Sequence, residues 1–234
     1  MSKKLIIVGS GNAALCAGIS ALEKGATVKI LEKANENLAG GNTKYTAGAM
    51  RFVYNNGDEL KPLLKDPYDP KLEKTNFGQY TKEKFSEDLL NFNDGKPLTI
   101  EQKTLISESY ETMKWLSSHD VKFEPIYQRQ SFEKDGKFIF WGGLTLASRN
   151  EGVGLFDQEL EAFKKLGGEI EYETPVTELI KEEEKIIGVK TKDNNFIADA
   201  VILASGGFEA DKQMRSKYLG DHWAVAKVRG TPNN

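Results

Sequence analysis

Gly9, Gly11, Ala14 and Glu32 are the residues whose types and spacing point most directly to chemistry. A glycine that lets the chain turn sharply, a second that lets backbone approach a diphosphate, and a third small residue for close helix–strand packing make a dinucleotide cradle. Glu32 lies 21 residues past Gly11, close to the roughly 20 at which an acid meets a ribose hydroxyl. The elements needed to hold these residues are present in order. Apolar Leu5–Val8 reads as a strand, Ala13–Lys24 as a helix and Thr27–Leu31 as a second strand ending at Glu32. Glycines after a strand can also form an ordinary turn, and Glu32 can be a solvated strand-end charge. The complete strand–turn–helix–strand context favours the nucleotide reading.

Other chemistry is excluded by what the sequence lacks. Cys16 is the single cysteine, and His119 and His222 are the only histidines. One cysteine and two scattered histidines do not supply the ligand spacing of a metal site. An internal disulfide is ruled out, which suits a reducing cytoplasm. Cys16 falls inside the first helix, where a small buried thiol is the ordinary expectation. The 234 residues carry a net charge of −3 without a basic cluster, which argues against nucleic acid as a partner. No apolar run approaches the roughly 20 residues that span a bilayer. Lys3 and Lys4 precede apolar residues, but Gly9 cuts the run far short of a leader's hydrophobic core of about 7–15 residues.

Between Leu38 and Arg51 the chain is rich in small residues, which suits either a loop or backbone laid against a flat ligand. Pro62, Pro67 and Pro70 then punctuate a polar stretch. Helical patterns follow over Lys82–Phe92 and Thr99–Ser118, with Thr99 and Gln102 spaced as a capping box. Residues 56–149 therefore read as a mainly helical insertion into a core formed by 1–55 and 150–234. In the second part of that core, Phe156, Leu160, Phe163 and Leu166 mark a helix stopped by Gly167 and Gly168. Short strands follow over Glu169–Tyr172, Val176–Ile180, Ile186–Thr191 and Phe196–Ala198. The turn-forming Lys192–Asn195 suggests an antiparallel meander. A last apolar strand, Ala200–Ala204, runs into Ser205-Gly206-Gly207.

Taken together, several segments resemble the FAD-binding part of the fumarate reductase/succinate dehydrogenase flavoprotein family. They are Val8-Gly-Ser-Gly-Asn-Ala-Ala-Leu-Cys-Ala, Gly40-Gly-Asn-Thr-Lys with Thr46-Ala-Gly-Ala-Met-Arg-Phe, Phe140-Trp-Gly-Gly-Leu, Ile202-Leu-Ala-Ser-Gly-Gly-Phe-Glu and Lys227-Val-Arg-Gly-Thr-Pro. Within that family the chain looks most like the FAD-dependent tricarballylate dehydrogenases, some of which are also labelled precorrin-3B synthase. The resemblance implies an α/β fold: a Rossmann-like FAD-binding domain of the glutathione-reductase type, with a parallel sheet and a β-meander. It separates FAD from NAD, which the first motif leaves open. It also implies cofactor contacts at Gly9, Gly11, Asn12, Ala13, Glu32, Lys33, Gly40, Gly41, Asn42, Thr43, Ala47, Gly48, Val176, Ala204, Ser205 and Gly206. Some relatives attach FAD through a histidine in the segment that here reads Asn42-Thr43-Lys44, so non-covalent binding is expected.

The resemblance further implies a small carboxylate substrate, dehydrogenation at a CH–CH bond, and an electron-transfer protein as a second partner. Arg51 or Arg229 could face a carboxylate with a bidentate fork; either could equally be a surface arginine. In relatives a substrate-capping domain and a C-terminal segment follow the Arg-Gly-Thr-Pro motif. Here the sequence ends at Asn234, so the expectation is that both are absent and no catalytic acid or base is assigned. Three readings remain: a flavin-dependent dehydrogenase, a non-catalytic FAD-binding fragment of a truncated or split flavoenzyme, and, more weakly, an NAD-dependent domain.

Overall fold

The computed structural model describes residues 2–233. Its contacts divide the chain into two compact units, one formed by residues through Thr46 and from Leu155 onward, the other by Ala47–Gly154.

The first unit is built on a four-stranded parallel sheet. Its spatial order is Ala200–Leu203, Lys4–Val8, Thr27–Leu31, Glu169–Glu171. In register, Ile6 lies between Val201 and Lys29, and Ile7 between Ile202 and Ile30. Parallel strands covered on both faces read as continuous β-branched runs, and Ile6, Ile7 and Ile30 are fully buried. The helix Asn12–Glu23 packs through Ala14, Leu15, Gly18 and Ile19. A Cβ at Gly18 would stand 2.6 Å from the Phe163 ring, on the helix Glu151–Lys165. The glycine is what lets these two helices approach.

The meander forms as three antiparallel strands, Val176–Glu182, Lys185–Thr191 and Asn195–Ile197. Its Val189, with Ala198 just after its last strand, joins Ile6 and Leu31 of the parallel sheet in one buried cluster. Sheet and meander thus share a core.

The second unit contains the helices Lys82–Phe92 and Ile100–Ser118. Thr99 caps the longer one as its spacing with Gln102 suggests. Its Oγ1 accepts from the Gln102 N–H at 3.3 Å, and its own N–H donates to Gln102 Oε1 at 3.0 Å. The unit is less helical than expected, because it also holds two small three-stranded sheets. One orders Ala49–Met50, Leu146–Ser148 and Phe123–Pro125; the other orders Thr75–Asn76, Lys137–Phe140 and Ser131–Lys134. Strands of two to four residues are too short to display a period of two, and apart from the Ser131–Lys134/Lys137–Phe140 hairpin they find their partners far along the chain.

Candidate functional site

At the carboxyl ends of the parallel strands the first unit opens into a cavity of about 720 Å³. Open α/β sheets bind ligands in such crevices, and the volume falls within the roughly 300–1,000 Å³ of ligand pockets. One wall is the turn between the first strand and helix, Val8–Ala13. A second is the end of the Thr27–Leu31 strand with Glu32 and Lys33. The others come from Leu38 and Gly41–Thr43, from Val176, from Leu203–Gly207 with Glu209, and from Thr231 and Asn233.

The turn is shaped by Gly9. Its φ of +95° lies in the left-handed region, and a Cβ there would sit 2.5 Å from the Ala204 carbonyl oxygen of the neighbouring strand. Only glycine satisfies both demands. Gly11 is different: its φ is an ordinary −73°, and a Cβ would meet Thr43 Oγ1 at 3.3 Å. What matters there is space. No side chain caps the helix at Gly11, and its first turn carries no acid. The Asn12 N–H is taken by Thr43 Oγ1, but a helix N-terminus without an N-cap side chain, at the positive end of the helix dipole, suits an anion.

Glu32 is buried and its carboxylate already has three protein donors. Oε2 accepts from the Ser10 N–H at 3.0 Å and the Ser10 hydroxyl at 2.6 Å; Oε1 accepts from the Ala34 N–H at 2.8 Å. A carboxylate offers about four lone-pair sites, so one on Oε1 remains for a ligand hydroxyl. The Ser10 hydroxyl in turn accepts from the Gly40 N–H at 3.0 Å. Ser10 thus ties the second strand's end to the segment that begins the flat wall of the cavity. The motif reading passed over this residue as a variable position between two glycines, although a serine between Gly9 and Gly11 is a visible polar candidate.

The polar side chains of the Gly41–Tyr45 segment mostly serve the cradle itself. The Asn12 N–H donates to Thr43 Oγ1 at 2.9 Å, and the Thr231 N–H donates to Asn42 Oδ1 at 2.9 Å. The Asn42 amide also donates to Glu209 Oε2 at 3.4 Å. Gly40 holds a φ of +102°, and a Cβ there would come within 2.8 Å of the Phe156 ring.

Of the residues expected at a cofactor, Gly9, Gly11, Asn12, Ala13, Glu32, Lys33, Gly41, Asn42, Thr43, Val176, Ala204, Ser205 and Gly206 line this one cavity. Gly40 lies behind the lining, held by Ser10. Ala47 and Gly48 belong to the second unit and are not among the lining residues. At Gly48 a Cβ would run into Ser148 Oγ and the Glu151 backbone, so its small size serves packing there. Gly207 lines it beside Gly206, as does Leu38 at the start of the small-residue segment, while Ser10, Glu209, Thr231 and Asn233 join the lining without having been foreseen. Arg51, in the second unit, donates to the Tyr80 hydroxyl at 2.9 Å and pairs with Asp88 at 3.3 Å. Arg229 is exposed. Among the described residues, no group of three or more His, Cys, Asp or Glu side chains is placed to hold a metal, and no helix is long and apolar enough to cross a membrane.

Urocanate reductase of Eggerthella lenta is 29% identical over 232 residues, covering 92% of this chain and 33% of its own length. The cytochrome-type fumarate reductase of Shewanella frigidimarina is 27% identical over 223 residues, covering 91% and 34%. The chain thus spans about a third of the length of these curated relatives. In three dimensions it resembles the open conformation of a flavocytochrome c3 fumarate reductase with a TM-score of 0.72 at 18% identity. That match covers the whole chain and 38% of the other, and shows a shared fold. The family model described as "FAD dependent oxidoreductase", a family whose cofactor is FAD, matches residues 4–233. The chain belongs to the FAD-dependent oxidoreductase family.

Proposed function

We propose that this chain holds FAD non-covalently in the cavity at the strand ends. On this reading it serves as the cofactor-holding part of an oxidoreductase acting on a CH–CH bond of a small carboxylate. The observation that carries the reading is the convergence of the uncapped helix N-terminus, the Gly9–Ala204 close approach and Glu32 on one cavity of about 720 Å³. These groups fit the cofactor's parts. The N–H groups of Gly11 and Ala13 would take the pyrophosphate, and the remaining Oε1 site of Glu32 would take a ribose hydroxyl. Lys33 and Val176 would border the adenine. Gly41, Asn42 and Thr43, with Ala204–Gly206, would border the flavin side, and Gly40 would support them from behind. When bound, FAD supplies two-electron redox chemistry at the substrate carbon; the chain's own groups bind it, orient it and tune its surroundings.

The relatives are named for urocanate and fumarate, both carboxylates with a carbon–carbon double bond. A tricarballylate-like substrate, supported by the sequence motifs, is a saturated tricarboxylate whose dehydrogenation would create such a double bond. An electron-transfer partner protein and a cytoplasmic location complete this reading. A second reading, FAD binding without turnover, is favoured by one observation. The titratable lining residues are Glu32, Lys33 and Glu209, and Glu32 is held by three donors. Glu209 accepts from the Asn42 amide, so both acids of the lining are engaged in holding the cradle.

The experiment is reconstitution with FAD, followed by reduction assays with tricarballylate and oxidation assays of the reduced flavin with fumarate and urocanate. A bound flavin that exchanges electrons with one of them supports the dehydrogenase reading. A bound flavin that exchanges with none supports binding alone. No flavin uptake by the folded chain overturns both.

A further inference from the structure

Behind the wall formed by Asn12, three polar side chains link the cavity to the core. Cys16 lies one helical turn after Asn12, and its Sγ stands 3.4 Å from Asn12 Oδ1 and 3.7 Å from Glu159 Oε1. Glu159 comes from the facing helix Glu151–Lys165 and is wholly buried. Its other oxygen, Oε2, is buried without a hydrogen-bond partner, and no cation pairs with it among the described residues. A carboxylate buried without a counter-charge takes a proton instead. As a carboxylic acid it has one O–H to donate.

A single S–H cannot serve both neighbours, and this fixes the direction of the chain. With Glu159 protonated, its O–H donates to Sγ, and the Cys16 S–H is left to donate to Asn12 Oδ1. That assignment places the acceptor end of the Asn12 amide toward Cys16 and leaves its NH₂ outside that bond, on a residue that lines the cavity. We propose that Glu159 and Cys16 are positioning residues that fix the Asn12 amide, so that it presents a donor to an anionic oxygen in the cavity. The proposal rests on the FAD reading for the identity of that oxygen, a pyrophosphate oxygen of the cofactor.

The chain has a built-in limit. Burial pushes the Glu159 carboxyl up to about 8, and Cys16 is the one titratable neighbour acting on it among the described residues. Burial and Glu159 together hold the Cys16 thiol far above its ordinary range, so it stays an S–H. Once Glu159 ionises it becomes an acceptor only and draws the S–H to itself. The Asn12 amide is then released, and a negative charge appears behind an anion site.

The test uses the full chain, with FAD affinity read from quenching of flavin fluorescence between pH 6.5 and 9.5. A thermal melt checks that each variant is folded. Loss of one such hydrogen bond corresponds to about three- to tenfold in affinity. Cys16→Ala and Asn12→Ala should each weaken binding by that order, and Cys16→Ala should add nothing on the Asn12→Ala background. Cys16→Ser, which keeps a donor and an acceptor, should bind as the parent does. Affinity of the parent should fall through pH 8, and Glu159→Gln should keep the neutral-pH affinity while removing that fall. Additive effects of the two alanine variants, or a parent affinity flat through pH 8, would overturn the proposal. Infrared spectra of the ligand-free protein give an independent reading: a carboxylic-acid band at neutral pH, missing in Glu159→Gln and shifted in Cys16→Ala. Absence of that band sinks the relay. No FAD uptake by the parent, with the band present, sinks the FAD reading instead.

Discussion

At Ser10 one hydroxyl joins two segments: it donates to the Glu32 carboxylate and accepts from the Gly40 backbone. Ser10→Ala removes both bonds in a buried place and leaves the Gly40 N–H without its partner. A buried donor left unsatisfied costs roughly 1–3 kcal/mol. Denaturant unfolding should show a loss of that size, with weaker FAD binding. Gly9→Ala meets two penalties, a left-handed backbone and a contact 2.5 Å from Ala204 O. The left-handed conformation alone costs about 1–2 kcal/mol, so a larger loss of stability is expected in the same assay. Glu159 sets a pH dependence of stability. Its folded-state pKa is raised from 4.5 to about 8, so between those values the native state holds a proton that the unfolded state has released. Stability therefore falls as pH rises from 4.5 to about 8 and levels off beyond. Melting temperatures across that range should decline in the parent and stay flatter in Glu159→Gln.

At the scale of elements, the packing of the Asn12–Glu23 helix against the Glu151–Lys165 helix turns on Phe163. It is fully buried, and Gly18 and Gly168 both leave room for its ring. Phe163→Ala should cost about 3–5 kcal/mol through the cavity it leaves. The same unfolding experiment checks this, and a loss under 1 kcal/mol would show that the helices close up. These elements were legible in the sequence for a physical reason. Three strands of the parallel sheet are short apolar runs rich in β-branched residues, the first ended by Gly9, and the helices carry apolar residues at helical spacing, with a recognisable cap at Thr99 and Gln102. The small sheets of Ala47–Gly154 were not legible. Phe123–Pro125 pairs with Leu146–Ser148, and such short strands are defined by their distant partners more than by their own pattern.

For the molecule as a whole, the Ala200–Leu203 strand is at one edge of the parallel sheet. Near it in sequence, Leu203, Trp223, Val225 and Val228 are exposed, Val225 at 84%. Unpaired edges and exposed apolar groups favour association. Light scattering should show concentration-dependent assembly, reduced by Val225→Lys; a monodisperse parent at high concentration would refute this. The net charge of −3 is too small to oppose such contacts strongly.

By itself the sequence determined the kind of site. Two glycines and a small residue at fixed offsets, a strand before them and an acid at the end of the next strand encode a turn, a helix N-terminus and a carboxylate beside it. All of these are local in the chain or one strand apart. The tertiary structure alone decided how the cradle is held: Ser10 bridging Glu32 and Gly40, Asn42 binding the Thr231 backbone 189 residues away, and Glu159 set behind Cys16. Those contacts join positions whose spacing in sequence carries no period. They exist only because the sheet brings the ends of its strands to one side, where burial makes each unpaired polar group costly enough to find a partner.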